Sequence, residues 1–252
     1  MEYNLADLWE AVVDAVPDRT ALVCGDRRLT FAEADDRIDR LAHHLVSVGV
    51  EPGDRVALYL HNGTEYLEGM LAAFKVRAVP VNVNFRYVEE ELAYLLRDSG
   101  ARVVVFHREF APKLATIRSR VPAEHHLVVD DRSGADLDPA LGAVEYEAAL
   151  VASRPGRNHP VRSADDLYIL YTGGTTGMPK GVMWRQEDLF AVLGYGANAL
   201  FGVGPGESVE ALIDRVTPEW PNLKAYVACP LMHGTGLFSS FIGLATAGAV
   251  VT

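Results

Sequence analysis

Cysteine and positive charge are both scarce in this 252-residue chain. Cys24 and Cys229 are its only cysteines, whereas a disulfide scaffold or a structural zinc site needs more of them at ligand spacing. We therefore expect two reduced thiols in a cytoplasmic protein, and no metal site of the chain's own.

Positive charge is outnumbered by negative charge: 23 Lys and Arg residues against 34 Asp and Glu give a net charge of -11. This balance argues against DNA or RNA as the main partner, because phosphate backbones need a positive footprint. A local basic pocket could still hold one nucleotide.

Long apolar runs are also missing. The most apolar stretch, residues 237–251, is interrupted by hydroxyl residues and glycines, and it is shorter than the roughly 20 apolar residues that a membrane-spanning helix needs. Residues 1–7 lack the basic region and apolar run of a signal peptide. The sequence therefore predicts neither a membrane span nor a secretory leader.

Short apolar strands alternate with helices along most of the chain. A helix at 5–16, a hairpin at 21–30 and a helix that runs to Val48 come first, and Thr30 and Glu33 form a capping box for the second helix. After them we predict strands at 55–60, 78–83, 102–106 and 126–129, and helices at 64–75, 88–97 and 109–120. This alternation predicts an α/β fold, with β-α-β units around a mainly parallel sheet.

Further along, we expect residues 130–165 to form a surface connection with one short helix at 145–151. His43 and His44 lie on the helix that ends at Val48. They have no carboxylate or cysteine partner at ligand spacing, so we predict a surface position for both.

A loop rich in glycine and threonine follows a predicted strand at 167–171. It consists of Thr172, Gly173, Gly174, Thr175, Thr176 and Gly177. Glycine lets the backbone turn tightly and approach a ligand closely, and successive N–H groups form a concavity that holds anions. Lys180 adds a mobile positive charge at the far end. The loop is suited to a polyphosphate; a glycine-rich turn with a solvated lysine is the structural alternative.

This loop differs from the nucleoside-triphosphatase pattern G-x-x-x-x-G-K-[ST]. Pro179 precedes the lysine, and Gly-Val-Met-Trp at 181–184 follows it. Those four residues are typical of a short strand rather than a helix. We therefore predict that the phosphate is held by a hairpin-like flap between two strands, and not by a helix N-terminus.

Residues 171–181, Tyr-Thr-Gly-Gly-Thr-Thr-Gly-Met-Pro-Lys-Gly, resemble the phosphate-loop signature of the adenylate-forming superfamily. That superfamily includes acyl-CoA synthetases, aryl-CoA ligases, luciferases and the adenylation domains of peptide synthetases. Segments 29–33, 74–84 and 230–236 resemble further elements of the same superfamily, in the same order. Gly173 stands where many members have Ser, which removes one donor but leaves the backbone cradle. The overall likeness is greatest to actinobacterial-type fatty-acyl or sterol-side-chain CoA synthetases.

The resemblance implies a reaction in two steps. A substrate carboxylate attacks the α-phosphate of MgATP to give acyl-AMP and pyrophosphate, and the thiol of coenzyme A then displaces AMP. It also implies that the β- and γ-phosphates are held by the loop amides and by Thr172, Thr175 and Thr176, with Lys180 assisting. Charge develops on the phosphates in the first step, so positioned donors and cations are the expected catalytic contribution.

The acyl side is predicted around His233, in a tight turn of residues 232–236 that precedes an apolar helix at 237–247. The resemblance implies that His233 lines or gates the carboxylate pocket without transferring a proton; a turn histidine bonded to nearby backbone is the alternative. The candidate pocket residues are Trp220, Leu231, Met232, Gly234, Leu237 and Phe238. As a group they favour a hydrophobic acid, although ordinary core packing is the alternative for each apolar one.

Members of the superfamily continue for about as many residues again. The resemblance implies that the Mg²⁺-holding Glu, the ribose-binding Asp, the hinge and the lid with its catalytic Lys lie there. We therefore expect residues 1–252 to be the N-terminal portion of an AMP-binding domain that is inactive alone, and we assign no catalytic residue in it. A non-catalytic nucleotide- or acyl-binding module, a phosphotransferase with an atypical loop, and assembly as a homodimer stay open.

Overall fold

The structure is a computed structural model that describes residues 3–173, 177–201, 208–216 and 223–252, with side chains described outside 194–201. Its helices are α1 (Leu5–Ala15), α2 (Phe31–Ser47), α3 (Thr64–Lys75), α4 (Glu89–Ser99), α5 (Ala111–Ile117), α6 (Tyr146–Ala152), α7 (Gln186–Phe201), α8 (Val209–Ile213) and α9 (Gly234–Ala245). Its strands are β1 (Thr20–Cys24), β2 (Arg27–Thr30), β3 (Arg55–Tyr59), β4 (Val79–Asn82), β5 (Ala101–His107), β6 (His125–Val129), β7 (Val144–Glu145), β8 (Leu167–Thr172), β9 (Lys180–Arg185), β10 (Lys224–Tyr226) and β11 (Ala249–Val251).

Two sheets organise the part of the chain that the structure describes. The larger has seven strands in the order β7-β6-β5-β3-β4-β8-β9, and the smaller has four in the order β10-β11-β1-β2. Every pair in the larger sheet is parallel except β8 with β9. The predicted α/β fold with a mainly parallel sheet is therefore confirmed.

Helices cover both faces of the seven-stranded sheet, because successive strand residues point to opposite sides. On β3, Val56 and Leu58 belong to one buried cluster and Ala57 and Tyr59 to the other. The first cluster includes residues of α1, α2, α3 and α9, and the second includes residues of α4 and α5. Helix α3 also contacts β1 of the smaller sheet, so one apolar core connects the two sheets.

The sequence located most elements to within one or two residues. The capping box is present: Thr30 Oγ1 accepts from the Glu33 N–H at 3.2 Å, and Glu33 Oε2 accepts from the Thr30 N–H at 2.8 Å. Strand β11 pairs in parallel with β1 of the hairpin at the start of the chain. In the ranges that the structure describes, no helix is long and apolar enough to cross a bilayer.

Two predictions about the first half of the chain need correction. The helix expected at 109–120 is a short α5 between two 3-10 turns. Pro112 has no N–H and fits only in a first helical turn, so α5 begins at Ala111. His43 is buried rather than on the surface, because the connection after α6 packs over α2. Its Nε2 lies 2.8 Å from the Gly156 carbonyl oxygen, and its ring packs against that of His159 with centroids 4.8 Å apart.

Candidate functional site

The glycine-rich loop connects two antiparallel strands. The β8–β9 ladder runs from Leu167 opposite Arg185 to Thr172 opposite Lys180, so residues 173–179 form its connection. The predicted position of the loop between two strands, rather than before a helix, is therefore confirmed; that it holds a phosphate stays a prediction. Gly174, Thr175 and Thr176 lie outside the described residues.

The described residues of this loop are open to solvent. Thr172, Gly173, Gly177 and Lys180 are all exposed. Gly177 has φ +122°, a conformation that side-chain-bearing residues rarely adopt. Within the described residues, Lys180 has no ion-pair partner. A ligand that reaches the loop would thus meet a cation whose charge no described side chain neutralises.

Tyr171 fixes the end of β8 that leads into the loop. Its N–H donates to Asn82 Oδ1 at 2.6 Å, and its carbonyl accepts from Asn82 Nδ2 at 3.2 Å. Its phenol donates to Asp98 Oδ2 at 2.6 Å. Burial, together with this bond and the charge of Asp98, raises the pKa of Tyr171. Tyr171 therefore stays a neutral donor at physiological pH and holds its strand in place.

His233 occupies the N-cap position of α9. Its backbone is extended and its N–H donates to the Pro230 carbonyl at 3.0 Å, while its exposed side chain makes no capping hydrogen bond. The helix begins at Gly234 rather than at residue 237, so the expected turn is already its first helical turn. The imidazole is therefore free of a capping role and accessible to a ligand.

The predicted acyl-pocket residues separate into two groups. Leu231, Met232 and Leu237 are almost fully buried, which agrees with the core alternative. Phe238 is half-buried and meets the edge of Trp184, with ring centroids 5.7 Å apart at 81°. Trp220 lies outside the described residues. Phe238 and Trp184 are thus the aromatic pair that a ligand near His233 could contact.

The glycine-rich loop and the His233 turn follow two segments that lie side by side. Asn82 Nδ2, which bonds the Tyr171 carbonyl, also donates to the Met232 carbonyl at 2.5 Å. A Cβ built on Gly234 would lie 3.1 Å from Leu170 Cδ2, so the first turn of α9 touches β8. The two segments singled out by the sequence therefore start close together at the carboxyl ends of β4 and β8. Open α/β sheets bind their ligands at this kind of edge.

Two further contacts position the His233 turn, and sequence reasoning missed both. Asn62, just after β3, accepts from the Leu231 N–H at 2.7 Å and donates to the Cys229 carbonyl at 3.3 Å. A Cβ on Gly236 would lie 2.5 Å from the Pro230 oxygen and 2.7 Å from the Cys229 oxygen. Only glycine therefore lets α9 pack this closely on the segment before it.

The described residues contain no group of three or more His, Cys, Asp or Glu side chains that could hold a metal ion. Both cysteines are free thiols, Cys24 half-buried and Cys229 exposed.

Comparison of the sequence with known proteins gives one consistent family. Residues 9–252 match the family model described as AMP-binding enzyme. The chain is 44% identical over 252 residues, 100% of its length, to a 3-oxocholest-4-en-26-oate--CoA ligase of Rhodococcus rhodochrous, of which it covers 45%. It is 43% identical over 242 residues, 96% of its length, to a medium/long-chain-fatty-acid--CoA/3-oxocholest-4-en-26-oate--CoA ligase of Mycobacterium tuberculosis, of which it covers 44%. The chain thus spans less than half the length of these relatives.

Solved structures agree on the fold. An anthranilate CoA ligase in complex with anthranoyl-AMP superposes with a TM-score of 0.83 at 21% identity, over 100% of this chain and 44% of that one. A long-chain-fatty-acid-CoA ligase from Archaeoglobus fulgidus superposes with a TM-score of 0.79 at 21% identity, over 100% of this chain and 47% of that one.

Proposed function

The chain belongs to the AMP-binding enzyme family, and on this premise we propose that it is the N-terminal portion of an AMP-forming acyl-CoA synthetase, an acid–thiol ligase. The reaction would activate a carboxylic acid with ATP to acyl-AMP and pyrophosphate, and would then pass the acyl group to coenzyme A. The observation that carries the proposal is the adjacency of the β8–β9 phosphate hairpin and the His233 turn, joined through Asn82. An acid held at one would lie beside a nucleotide held at the other.

The first chemical step needs negative charge on the phosphates to be stabilised. The amides of the loop from Thr172 to Gly177 would donate hydrogen bonds to the β- and γ-phosphates, and the hydroxyls of Thr172, Thr175 and Thr176 would add donors. Lys180 would supply the cation, which strengthens such bonds. We propose that ATP is bound as its Mg²⁺ complex.

On the acid side, His233 would line the entrance to the carboxylate pocket, next to Gly234 and the buried Met232. Its exposed imidazole caps no backbone group, so it can turn toward an incoming carboxylate. Phe238, packed on Trp184, would contact the apolar part of the acid, and Trp220 is a further candidate. The names of the 44% and 43% identical relatives support a fatty acid or a sterol side-chain acid as substrate class.

We propose that the transfer to coenzyme A requires the longer protein. The chain covers 45% and 44% of these two relatives, and residues 1–252 would supply the phosphate-binding hairpin and the turn on the acyl side. The purified 252-residue chain is expected to bind ATP weakly and to catalyse no ATP–pyrophosphate exchange. Robust exchange by that chain would contradict this part of the proposal. A cytoplasmic location and a homodimer stay predictions.

Product analysis tests the proposed function. The full-length protein is incubated with MgATP and coenzyme A, with octanoate, palmitate or a cholestenoate in separate reactions, and nucleotide products are separated. Acid-dependent AMP and pyrophosphate, with acyl-CoA in equal amount, are expected. ADP and phosphate would instead indicate a phosphotransferase. ATP binding without any product would indicate a non-catalytic nucleotide- or acyl-binding module. Acetate serves as the control acid and should react far more slowly.

A further inference from the structure

A single buried asparagine contacts both halves of the candidate site. Asn82 is the last residue of β4 and is 1% exposed. Its Oδ1 accepts from the Tyr171 N–H, and its Nδ2 donates to the carbonyls of Tyr171 and Met232. Tyr171 immediately precedes Thr172 of the phosphate loop, and Met232 immediately precedes His233. One side-chain amide therefore holds the residue before each ligand-binding segment.

The position of Asn82 in the sheet explains why a side chain, rather than backbone, forms the hydrogen bonds to Tyr171. The β4–β8 ladder consists of one pair, Val81 opposite Ile169. Beyond it, the Asn82 amide substitutes for neighbouring backbone and bonds both the N–H and the carbonyl of Tyr171. Asn82 itself lies opposite Leu58 in the β3–β4 ladder. The amide is thus mounted on a buried strand, and its own freedom to move is small.

Asn62 provides a natural contrast. Its side-chain amide forms hydrogen bonds with the backbone of Leu231 and Cys229, and so holds the segment before His233 from the end of β3. In the part of the chain that the structure describes, Asn62 has no hydrogen bond to β8. Of these two asparagines, only Asn82 can transmit a shift of the acyl turn to the phosphate loop.

We propose that Asn82 is a positioning residue that couples acid binding to ATP binding, an inference that rests on the proposed function. Neither segment can move relative to the other without leaving a buried amide or carbonyl unpaired, which is costly. An acid that restricts the motion of the His233 turn would therefore also restrict the motion of the end of β8, which leads into the phosphate loop. Coupling between two ligands is reciprocal, so bound ATP should tighten acid binding by the same factor.

The test variant is Asn82→Asp in the full-length protein. It keeps the side-chain size and the acceptor for the Tyr171 N–H, but removes both N–H donors and faces a carboxylate toward two carbonyl oxygens. The dissociation constant of α,β-methylene-ATP is measured with and without octanoate or palmitate. The wild type is expected to show a coupling factor of roughly tenfold, within the usual range for linked sites. The variant at pH 8 is expected to show a factor near one.

A pH series adds a readout that simple loosening of the fold would not give. A buried carboxyl facing carbonyls takes up a proton more readily than usual, and the protonated form regains one donor. Coupling in Asn82→Asp should therefore recover as the pH is lowered from 8 to 6, while the wild type shows no such recovery.

Asn4→Asp is the matched control. Asn4 is also 1% exposed, accepts from a backbone N–H (Ala6, 2.9 Å) and donates to a distant carbonyl (Ser163, 3.3 Å). Among the described residues, its side chain makes no hydrogen bond to either ligand segment. It should keep the wild-type coupling. Asn62→Asp should weaken acid binding severalfold and leave the affinity for ATP alone unchanged.

The outcomes separate the coupling from the proposed function. Wild-type coupling retained in Asn82→Asp, in a protein that makes AMP and pyrophosphate, would overturn the coupling alone. A wild type with no acid-dependent pyrophosphate would overturn the proposed function and the coupling with it. If Asn82→Asp does not fold, Asn82→Ser, which brings no buried charge and cannot reach both segments, gives the same test with the same expected loss.

Discussion

Thr172 and Lys180 are the last residue pair of the β8–β9 ladder, directly opposite each other at the mouth of the glycine-rich loop. Both are exposed. The ladder fixes the backbone of Lys180, while no described side chain pairs with its ammonium group. Removing that ammonium group therefore disturbs no described contact and tests its proposed role alone.

Lys180→Ala in the full-length protein is expected to lower kcat/KM for ATP by roughly tenfold to a hundredfold, the usual effect of losing one charged donor to a developing phosphate charge. The melting temperature should stay within about 1 °C of the wild type, since an exposed side chain contributes little to stability. Pyrophosphate release at varied ATP concentration measures the first quantity, and thermal unfolding followed by circular dichroism measures the second.

Lys224→Ala is the matched control for this prediction. Lys224 is also exposed and also begins a strand at the edge of a sheet, β10, but it lies outside the candidate site. Its kinetics should equal those of the wild type. Equal losses in both variants would show that net charge, rather than Lys180 itself, matters; unchanged kinetics in Lys180→Ala would count against the role given to it.

Local patterns were enough to predict most of the fold. The spacing of apolar residues that distinguishes a strand from a helix is visible within a few consecutive residues. The predicted bounds of β3, α3 and β5 therefore agree with the structure to within one residue at each end. Helix α7 went unpredicted, because Gly194 and Gly196 lower its helix propensity. Strand β10 has only three residues, too few for a period to be visible.

The candidate site was predictable only in part. The glycines, threonines and lysine of the loop from Thr172 to Lys180 are close together in the sequence, and strand-like residues flank them. The sequence therefore predicts that the loop connects two strands. The role of Asn82 could not, because its partners Tyr171 and Met232 lie 89 and 150 residues away. An asparagine that ends a strand is usually interpreted as a turn residue. The burial of His43 was missed for the same reason, since its partner is 113 residues distant.

Lys75 provides a test of buried charge. It is fully buried at the end of α3, with Nζ 2.6 Å from Asp35, 2.5 Å from Asp39 and 3.2 Å from Glu10. Lys75→Met keeps the stem but removes the buried cation that the three carboxylates share, and leaves each of them with only one other arginine or histidine partner among the described residues. We expect the free energy of unfolding to fall by about 3–5 kcal/mol, measured by urea denaturation. Lys113→Met, which removes one half-buried bond to a carbonyl, should cost about 0.5–1.5 kcal/mol; equal costs would contradict the prediction.

Two glycines in the first turn of α9 should respond differently to a methyl group. At Gly236 a Cβ would meet two backbone oxygens at 2.5 and 2.7 Å, whereas at Gly234 it would meet the end of the Leu170 side chain at 3.1 Å. Backbone cannot give way as a side chain can. Gly236→Ala should therefore destabilise the chain by roughly 2 kcal/mol or more, and Gly234→Ala by about 1 kcal/mol or less. Urea denaturation of both variants measures the difference, and similar costs would show that α9 is free to shift.

His107 gives the protein a stability that depends on pH. Burial, and then the charge of His61, lowers the pKa of His107 below its ordinary value of 6.5, although Asp131 and Glu109 act in the opposite direction. Its Nδ1 also accepts from the His61 N–H at 2.9 Å, a bond that the protonated ring cannot make. The unfolded chain therefore binds this proton more readily than the folded one.

The sign of the effect follows from linkage. The pKa of His107 is lower in the folded protein than in the unfolded chain, where it is about 6.5. This difference stabilises the folded protein at pH values above 6.5, and the stabilisation is lost as the pH falls through 6.5 toward the pKa in the folded protein. The free energy of unfolding should thus be lower at pH 5.5 than at pH 7.5. In His107→Asn, whose Oδ1 can accept the same N–H but does not titrate, the decline should be smaller. It should not vanish, because the pKa values of His43 and His126 are also lowered by burial. His233→Asn removes an exposed histidine as the control, and a wild-type decline in His107→Asn would refute the assignment.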